Sequence, residues 1–530
     1  MAVAHGLFDK RDHDGKATAC TRLVDVTNTQ SRCPNVNFWL YAQPSTMQQA
    51  EASTSSARIA VAFMGAGLVA APFDAVRGIG ALGELGNELS FPFFAVAILV
   101  LGLSSFANGE SRLSNSLALK VGAAFLTVII LSYAFNAEAI NTGWVRGRGA
   151  LPKFATALLV ILYGIGLAWL AEQVRPEETR RRIARFVGWS AVIAIAYALF
   201  ELAGRSVLRG PFLAVDALVH SRQADLVNVW DGSVNQKVLF GWDERIRSVS
   251  FEPPAFGNYT GFAWPWLWFF AVAAPAGRRL WPWLLLAAFT LTIVASQSRT
   301  GLLMLGVNLI GLAALSLLYA RRRGGGEAAA GLRLLLPVAV LLFVLTLAYR
   351  TWTQSHGLVD QVVTGDSVSN LSRLAFQTAG LAIFQSHPVF GVGLGQFGFH
   401  VAEALPSWGF LSPEVRPMVT FPEAPWPNVY SLYVRLAAEL GLVGVVGWSL
   451  LWPGLFFALA ARARAAANEP AEIRYAAYPI AMNCLGVLAS GIASDTIRTP
   501  MLWVTLGLAC AVIRTAAVGR TTTVSRPAAA

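Results

Sequence analysis

The chain of 530 residues is strongly apolar, since 55% of its residues are hydrophobic and only 13% are charged. Its mean hydropathy is +0.53. Soluble proteins of this length carry a charged fraction of about 25%. The apolar residues gather in blocks of about 20, the length that spans the hydrocarbon core of a bilayer as a helix. The composition excludes an ordinary soluble protein and predicts an all-α polytopic membrane protein with about 12 transmembrane helices.

The net charge of +11 raises the question of a nucleic-acid partner. In a membrane protein, however, Lys and Arg collect in cytoplasmic loops, and this bias explains the charge without nucleic acid. The four cysteines are Cys20, Cys33, Cys484 and Cys510, and no pair has CxxC spacing. The sequence therefore predicts neither a metal site nor a disulfide framework, and it indicates no cofactor.

The chain begins with a polar, irregular stretch at 1–56, which we interpret as a disordered cytoplasmic tail. A membrane domain is predicted over 57–520, followed by a short cytoplasmic tail at 521–530. The apolar blocks that would cross the membrane lie near 57–76, 89–107, 117–136, 152–171, 186–203, 255–275, 280–296, 301–319, 332–349, 428–459, 474–492 and 498–517. The tenth block is longer than one span needs, so it either tilts or begins as a helix above the membrane.

Arginines in four short loops give the orientation. They are Arg175, Arg180, Arg181, Arg182 and Arg185, then Arg278 and Arg279, then Arg321, Arg322 and Arg323, and finally Arg462, Arg464 and Arg474. With about 12 spans, all four loops fall on one side of the membrane. The positive-inside rule makes that side cytoplasmic and places both termini there.

Two long segments, 204–254 and 350–427, then fall on the opposite, outer face. The second is the long loop before the tenth span, and apolar residues recur at helical spacing over 370–386. We expect an amphipathic helix there that lies on or caps the membrane domain. The outer face is thus predicted to carry most of the protein outside the bilayer.

Several outer arginines depart from the charge rule. Arg245 and Arg247 stand in the run Arg245–Pro254, which contains Glu252 and leads into the sixth span. Arg299 lies in the short turn between the seventh and eighth spans. An arginine fixed near membrane depth marks a functional site by default. The alternatives are interfacial snorkelling for the first group and binding of helix carbonyl groups for Arg299.

A third arginine, Arg373, lies on the predicted amphipathic helix, and the glycine-rich run His387–Phe397 follows it. The glycines resemble a phosphate-binding loop, but no strand precedes them and no GK[ST] follows. We interpret the run as a helix C-terminus followed by tight turns that need positive φ.

The tenth block opens with Glu423-Ala-Pro425-Trp-Pro427-Asn428-Val-Tyr430, and the two prolines suit the start of a helix. Further along, Arg435 and Glu439 stand four residues apart on one helical face, where a mutual ion pair is the alternative to substrate binding. Together the outer arginines predict a site for anionic phosphate, because guanidinium groups match phosphate oxygens in pairs. Outside a bacterial membrane, a lipid-linked phosphate is the natural ligand.

These motifs, in this order, resemble the bacterial O-antigen ligase and polysaccharide polymerase superfamily, with a ligase/polymerase-like core over 240–460. The residues that carry the resemblance are Arg247, Phe251-Glu252-Pro253, Ser298-Arg299-Thr-Gly301, Arg373, His387 to Phe397, Pro427-Asn428-Val-Tyr430 and Ala438-Glu439-Leu-Gly441-Leu-Val-Gly444. The resemblance implies a multi-pass glycosyltransferase of the bacterial inner membrane that works at the periplasmic face. Its implied partners are an undecaprenyl-diphosphate-linked glycan, membrane lipids and other polysaccharide assembly proteins.

The resemblance also implies roles for single residues. In an inverting, metal-independent transfer, Arg247, Arg299 and Arg373 would hold the diphosphate, and Glu252 would be the general base, with Glu423 as a weaker candidate. The residues expected to bind substrate are Arg245, Asn428, Tyr430, Arg435 and Glu439.

Ligases often carry His where this chain has Pro427, and Phe251-Glu252-Pro253 is more typical of polymerases. The prediction is therefore a polymerase of a surface polysaccharide or exopolysaccharide. An O-antigen ligase that transfers to lipid A–core is the first alternative. A transporter or flippase and a non-catalytic assembly subunit are alternatives of another class.

Overall fold

The computed structural model describes residues 44–78, 82, 85–107, 115–173, 176–204, 207–221, 246–320, 368–466 and 475–524. Nearly all of the regular structure in these ranges is helical. The helices are α1 Pro44–Ala70, α2 Phe91–Ala107, α3 Leu117–Phe135, α4 Ala137–Thr142, α5 Ala150–Gln173, α6 Pro176–Gly204, α7 Arg209–Val219, α8 Pro253–Ala273, α9 Leu280–Ala295, α10 Arg299–Ala320, α11 Val368–Ser386, α12 Phe397–Ala404, α13 Val415–Thr420, α14 Leu432–Ala465, α15 Tyr478–Ala493 and α16 Pro500–Val524. Short 3-10 turns lie at Leu85–Asn87, Ala276–Arg278 and Ser407–Leu411, and a small antiparallel hairpin pairs Trp144–Val145 with Arg148–Gly149.

The prediction of an all-α polytopic membrane protein is confirmed in its coarse form. Five of the described helices are long and apolar enough to cross a membrane, namely Leu117–Phe135, Ala150–Gln173, Arg181–Gly204, Arg299–Ser316 and Leu432–Ala465. Shorter apolar helices accompany them, at Ser56–Ala70, Phe91–Ala107, Leu280–Ala295, Tyr478–Ala493 and Pro500–Arg514. Each predicted block outside 332–349 overlaps a helix, whereas 332–349 lies outside the described residues. The count of about 12 spans therefore stays a prediction. Of the segment 1–56 that was expected to be disordered, residues 44–56 belong to α1, and 1–43 lie outside the described residues.

The centre of the bundle is built from α8, α10, α14 and α15, which pack on one another. Helix α8 is buried on all its faces, including Phe262, Trp266 and Phe269, and α15 is buried in the same way. These two helices therefore occupy the interior of the bundle. The first residues of α8 are consequently held in a fixed frame at one end of the bundle.

A second, smaller core sits beside the main one. It joins Phe376 and Ile383 of α11 to Phe397 and Val401 of α12, with Val415 of α13. The amphipathic helix predicted at 370–386 is thus present as α11, and its apolar face covers this core. The helices α11 to α13 form what we call the outer module, the part of the predicted outer loop that packs on α14.

Helix α14 is broken at Gly441, whose φ of 67° and ψ of −162° are not helical. The glycine-rich run enters this break: Val392 N–H bonds to the carbonyl of Ala438 at 3.0 Å, and Leu442 N–H bonds to that of Pro388 at 2.8 Å. Gly391 also has positive φ, at 65°, as the interpretation of this run as tight turns requires. The run therefore clamps the outer module to a broken helix.

The expectation that the prolines at 425 and 427 start the tenth helix is wrong, because α14 begins only at Leu432. The chain before it is held by contacts with α15. Ser431 Oγ donates to the carbonyl of Gly491 at 3.2 Å, and Leu432 N–H bonds to that of Ser494 at 3.3 Å. These bonds fasten the start of α14 to the end of α15.

Candidate functional site

A polar cavity of about 130 Å³ opens where several helix ends meet. It is lined by the residues after α1, by the start of α8, by α11, by the segment before α14 and by the loop between α15 and α16. The side chains with chemical capacity in this lining are Asp74, Glu88, Glu252, Asn258, Arg373, Asn428, Tyr430, Asp495 and Arg498. Residues more than 400 positions apart thus meet at one place, as Asp74 and Arg498 do.

Glu252 lines the cavity from the position immediately before α8, and Pro253 is in the first turn of that helix. The segment before it is tied to the loop after α1. Ser250 Oγ donates to the carbonyl of Pro72 at 2.9 Å, and Phe251 N–H donates to Asp74 Oδ1 at 2.7 Å. The carboxylate is therefore presented by a rigid helix end and not by a loose loop.

Arg373 and Tyr430 form another part of the cavity wall. The guanidinium carbon of Arg373 lies 5.2 Å from the centre of the Tyr430 ring, a cation–π contact. Tyr430 has a φ of 58°, which is rare for a bulky residue, and its N–H donates to Asn428 Oδ1 at 3.2 Å. Burial and the nearby carboxylates of Glu414 and Glu252 raise the pKa of Tyr430, so its hydroxyl stays protonated. This arrangement offers one positive charge, one phenol and one amide to a ligand.

Arg247 does not line this cavity. Its side chain is 3% exposed, and its guanidinium donates to Asp216 Oδ2 at 2.6 Å. Asp216 also accepts a hydrogen bond from Tyr197 at 2.7 Å, and it faces His220 at 2.8 Å. Burial would raise the pKa of Asp216, but the hydrogen bond and charge of His220 and the charge of Arg247 lower it below its usual value.

The backbone around Arg247 is equally fixed. Glu201 of α6 accepts the N–H groups of Arg247 and Ser248, at 3.3 and 3.0 Å. Ser248 has positive φ, at 53°, and its hydroxyl donates to the carbonyl of Ala194 at 2.7 Å. Arg247 therefore anchors the segment that carries Glu252 to α6 and α7, underneath the cavity.

Arg299 is the first residue of α10 and is exposed. It follows a tight turn in which Ser298 Oγ accepts the N–H of Gly301 at 3.2 Å. Gly257 of α8 packs so closely on this turn that a Cβ atom there would clash with Gly301. Arg299 thus lies at the same end of the bundle as Glu252, as predicted for the outer turn, although it is outside the cavity lining.

Arg435 bridges two carboxylates. Its Nε donates to Glu439 at 3.0 Å, the i,i+4 pair considered as an alternative, and its Nη1 pairs with Asp495. Glu439 is almost fully buried and accepts the N–H of Phe397 at 3.4 Å. Both side chains therefore link the cavity, through Asp495, to the outer module.

The structure brings Glu252, Arg373, Asn428 and Tyr430 together, and it places Arg247, Arg299, Arg435 and Glu439 around them. Arg245 lies outside the described residues, and the exposed Glu423 does not line the cavity. Sequence reasoning missed the site residues Asp74, Glu88, Asp495 and Arg498. These stand in short loops at helix ends, and no motif or spacing marks them.

Chemically, the site combines the fixed carboxylate of Glu252 with the guanidinium group of Arg373. The guanidinium carbon lies 5.2 Å from the centre of the Tyr430 ring. A carboxylate of this kind can accept a proton from a hydroxyl group, and the guanidinium can hold phosphate oxygens. The cavity lies at the start of α8 and α14, whereas Arg278, Arg279, Arg462 and Arg464 lie at the far ends of the same helices. The site is therefore at the end of the bundle opposite these clustered arginines.

Residues 284–449 match the family model Wzy_C, described as O-antigen ligase. This segment is less than half of the chain and runs from α9 into α14, so it includes Arg299, Arg373 and Tyr430 but not Glu252. No curated protein matches the chain. The resemblance to the O-antigen ligase and polymerase superfamily is confirmed by this match.

Proposed function

Because residues 284–449 carry an O-antigen ligase (Wzy_C) domain, we propose that this protein is a polymerase of a bacterial surface polysaccharide or exopolysaccharide. It transfers glycan from an undecaprenyl-diphosphate donor to a lipid-linked repeat unit at the periplasmic face of the inner membrane. The observation that carries the proposal is the convergence of Glu252, Arg373, Asn428 and Tyr430 on one cavity, at the end of the bundle away from the clustered arginines.

The proposed reaction is an inverting transfer. The acceptor hydroxyl oxygen forms a bond to the anomeric carbon of the donor, and its proton passes to the carboxylate of Glu252. The bond between the anomeric carbon and the diphosphate oxygen breaks, and its electron pair leaves with undecaprenyl diphosphate. Arg373 stabilises the charge that develops on the departing phosphate, and exposed Arg299 at the same end is placed to help. No metal ion takes part in the proposed reaction.

Arg247 takes a different role in this proposal. Because its guanidinium is buried against Asp216, it holds the segment that presents Glu252 and does not bind the phosphate directly. Arg435 and Glu439 act in the same indirect way through Asp495. The remaining expected partners are membrane lipids and other polysaccharide assembly proteins, with no nucleic acid.

The printed description of the family model favours a second candidate, an O-antigen ligase that transfers to lipid A–core. A gene-deletion strain separates the candidates. Loss of a polymerase leaves single repeat units on the lipid carrier, whereas loss of a ligase leaves lipid-linked polymer and a lipopolysaccharide without it. Repeat units trapped on the cytoplasmic leaflet would instead indicate a flippase. Unchanged polysaccharide would contradict all three.

A further inference from the structure

The cavity lining carries more negative than positive groups, whereas a site that binds only phosphate carries an excess of positive groups. Four carboxylates, of Asp74, Glu88, Glu252 and Asp495, face two guanidinium groups, of Arg373 and Arg498. Arg435 pairs with Asp495 from behind, but it shares its one positive charge with the buried carboxylate of Glu439. Glu88 is only 8% exposed, so solvent screens its charge weakly. An anionic group inside this cavity would meet net repulsion.

Two residues in the lining also carry oxygen atoms that have no hydrogen-bond partner within the described part of the chain. They are Oδ1 of Asn258 and Oδ1 of Asp495, and both atoms are buried. A buried acceptor without a donor costs about 1–3 kcal/mol. A hydroxyl or an ammonium group can donate to such atoms, whereas a carboxylate or phosphate cannot. The unsatisfied atoms and the net charge point to the same kind of ligand.

We propose that this cavity binds the acceptor sugar of the lipid-linked repeat unit, and that this sugar is uncharged or carries an amine and is not a uronic acid. The inference rests on the proposed function, because it names the substrate class of the same site. The phosphate groups stay at the rim, with Arg373 and with the end of α10 that bears Arg299. The carboxylates inside then accept hydrogen bonds from the hydroxyl groups of the sugar, and Glu252 stands among them to take the proton.

The test measures binding of three monosaccharide probes, methyl glucoside, glucosamine and glucuronic acid, to the full-length protein in lipid nanodiscs by saturation-transfer NMR. Wild-type protein is expected to bind the first two at least about tenfold more tightly than glucuronic acid, the size of effect that one nearby like charge produces. Glu88→Gln removes one carboxylate from the cavity wall. It is expected to reduce the preference for methyl glucoside and glucosamine over glucuronic acid several-fold. Glu138→Gln is the matched control, since Glu138 is exposed on α4 away from the cavity.

Equal or tighter binding of glucuronic acid to the wild-type protein would overturn the inference. So would an unchanged ratio in Glu88→Gln, or an equal change in Glu138→Gln. A polymerisation assay keeps this failure separate from failure of the proposed function. If Arg373→Ala abolishes long polymer while the probes show no preference, the substrate class is wrong and the function stands. If long polymer persists in Arg373→Ala, glycan transfer does not take place in this cavity. If the wild-type protein makes no long polymer, the proposed function itself fails.

Discussion

Arg247 donates a hydrogen bond of 2.6 Å to Asp216, and both side chains are buried, at 3% and 1% exposure. Removing Arg247 takes the guanidinium away from a buried carboxylate, and removing Asp216 takes the carboxylate away from a buried guanidinium. We therefore expect Arg247→Ala and Asp216→Ala each to lower the free energy of unfolding by about 3–5 kcal/mol. The measurement is thermal unfolding of the purified protein in detergent.

A double variant makes this prediction specific. Because the two substitutions remove the same ion pair, the loss in Arg247→Ala/Asp216→Ala should be well below the sum of the single losses. Arg279→Ala, in an exposed turn at the opposite end, is the control and should unfold at the wild-type temperature. Additive losses would show that Arg247 and Asp216 do not act as a pair.

The break in α14 gives a second prediction. Gly441 has a φ of 67°, and a Cβ atom there would collide with the carbonyl of Val389. Gly441→Ala is therefore expected to destabilise the protein by about 2 kcal/mol or more, through backbone strain and displacement of the glycine-rich run. Gly447→Ala in the same helix is the matched control, because its Cβ meets nothing within 4 Å. It should be neutral or stabilise by up to about 1 kcal/mol. Similar unfolding temperatures for both variants would show that the contact between the glycine-rich run and the break at Gly441 does not stabilise the protein.

The outer module should lose stability in mild acid. Burial and the neighbouring His387 ring lower the pKa of His400 below its usual value. The unfolded chain, with a histidine pKa of about 6.5, then binds the proton more readily than the folded protein. The stability contribution is full above that pH and falls as the pH drops below it. Thermal unfolding at pH values from about 7.5 to 5.5 should show this decline, and His400→Gln should flatten it. A wild-type unfolding temperature that rises towards acid would contradict the prediction.

The orientation is tested by labelling single cysteines with a membrane-impermeant maleimide, after Cys20 and Cys33 are replaced by Ser. Cys484 and Cys510 are buried and can remain. Glu423→Cys, exposed in the segment between α13 and α14, should react in intact spheroplasts. Arg279→Cys, exposed at the opposite end, should react only after permeabilisation. The reverse pattern would place the cavity on the cytoplasmic side.

Much of this architecture is predictable from the sequence because lipid imposes one strong rule on the chain. Apolar blocks about 20 residues long must be helices, so α3, α5 and α10 follow from hydropathy alone. Helix α11 follows from its amphipathic spacing. The glycine-rich run could be assigned to turns because nothing around it fits a phosphate loop. Its contact with the break at Gly441 could not, since it depends on how distant segments pack.

The site was predictable only in part, for the same reason. Glu252 and Arg373 stand in local patterns that sequence reasoning can find. Asp216 and Asp495 do not, because their guanidinium partners, Arg247 and Arg435, stand 31 and 60 positions away in the chain. A buried ion pair such as that of Arg247 cannot be told from an exposed functional arginine without coordinates. For this reason the sequence predicted that Arg247 binds phosphate, whereas in the structure Arg247 forms a buried ion pair with Asp216.

The most direct test of the central claim is the length of glycan chains made by the purified protein from an undecaprenyl-diphosphate-linked repeat unit. Wild-type protein and Arg278→Ala, a control at the opposite end of α8, should both make long chains. Arg373→Ala and Glu252→Gln should leave single units, with a loss of at least about 100-fold in transfer rate, the size expected when a charge-stabilising or proton-accepting group is removed. Long chains from Arg373→Ala and Glu252→Gln, at wild-type protein levels, would show that glycan transfer does not take place in this cavity.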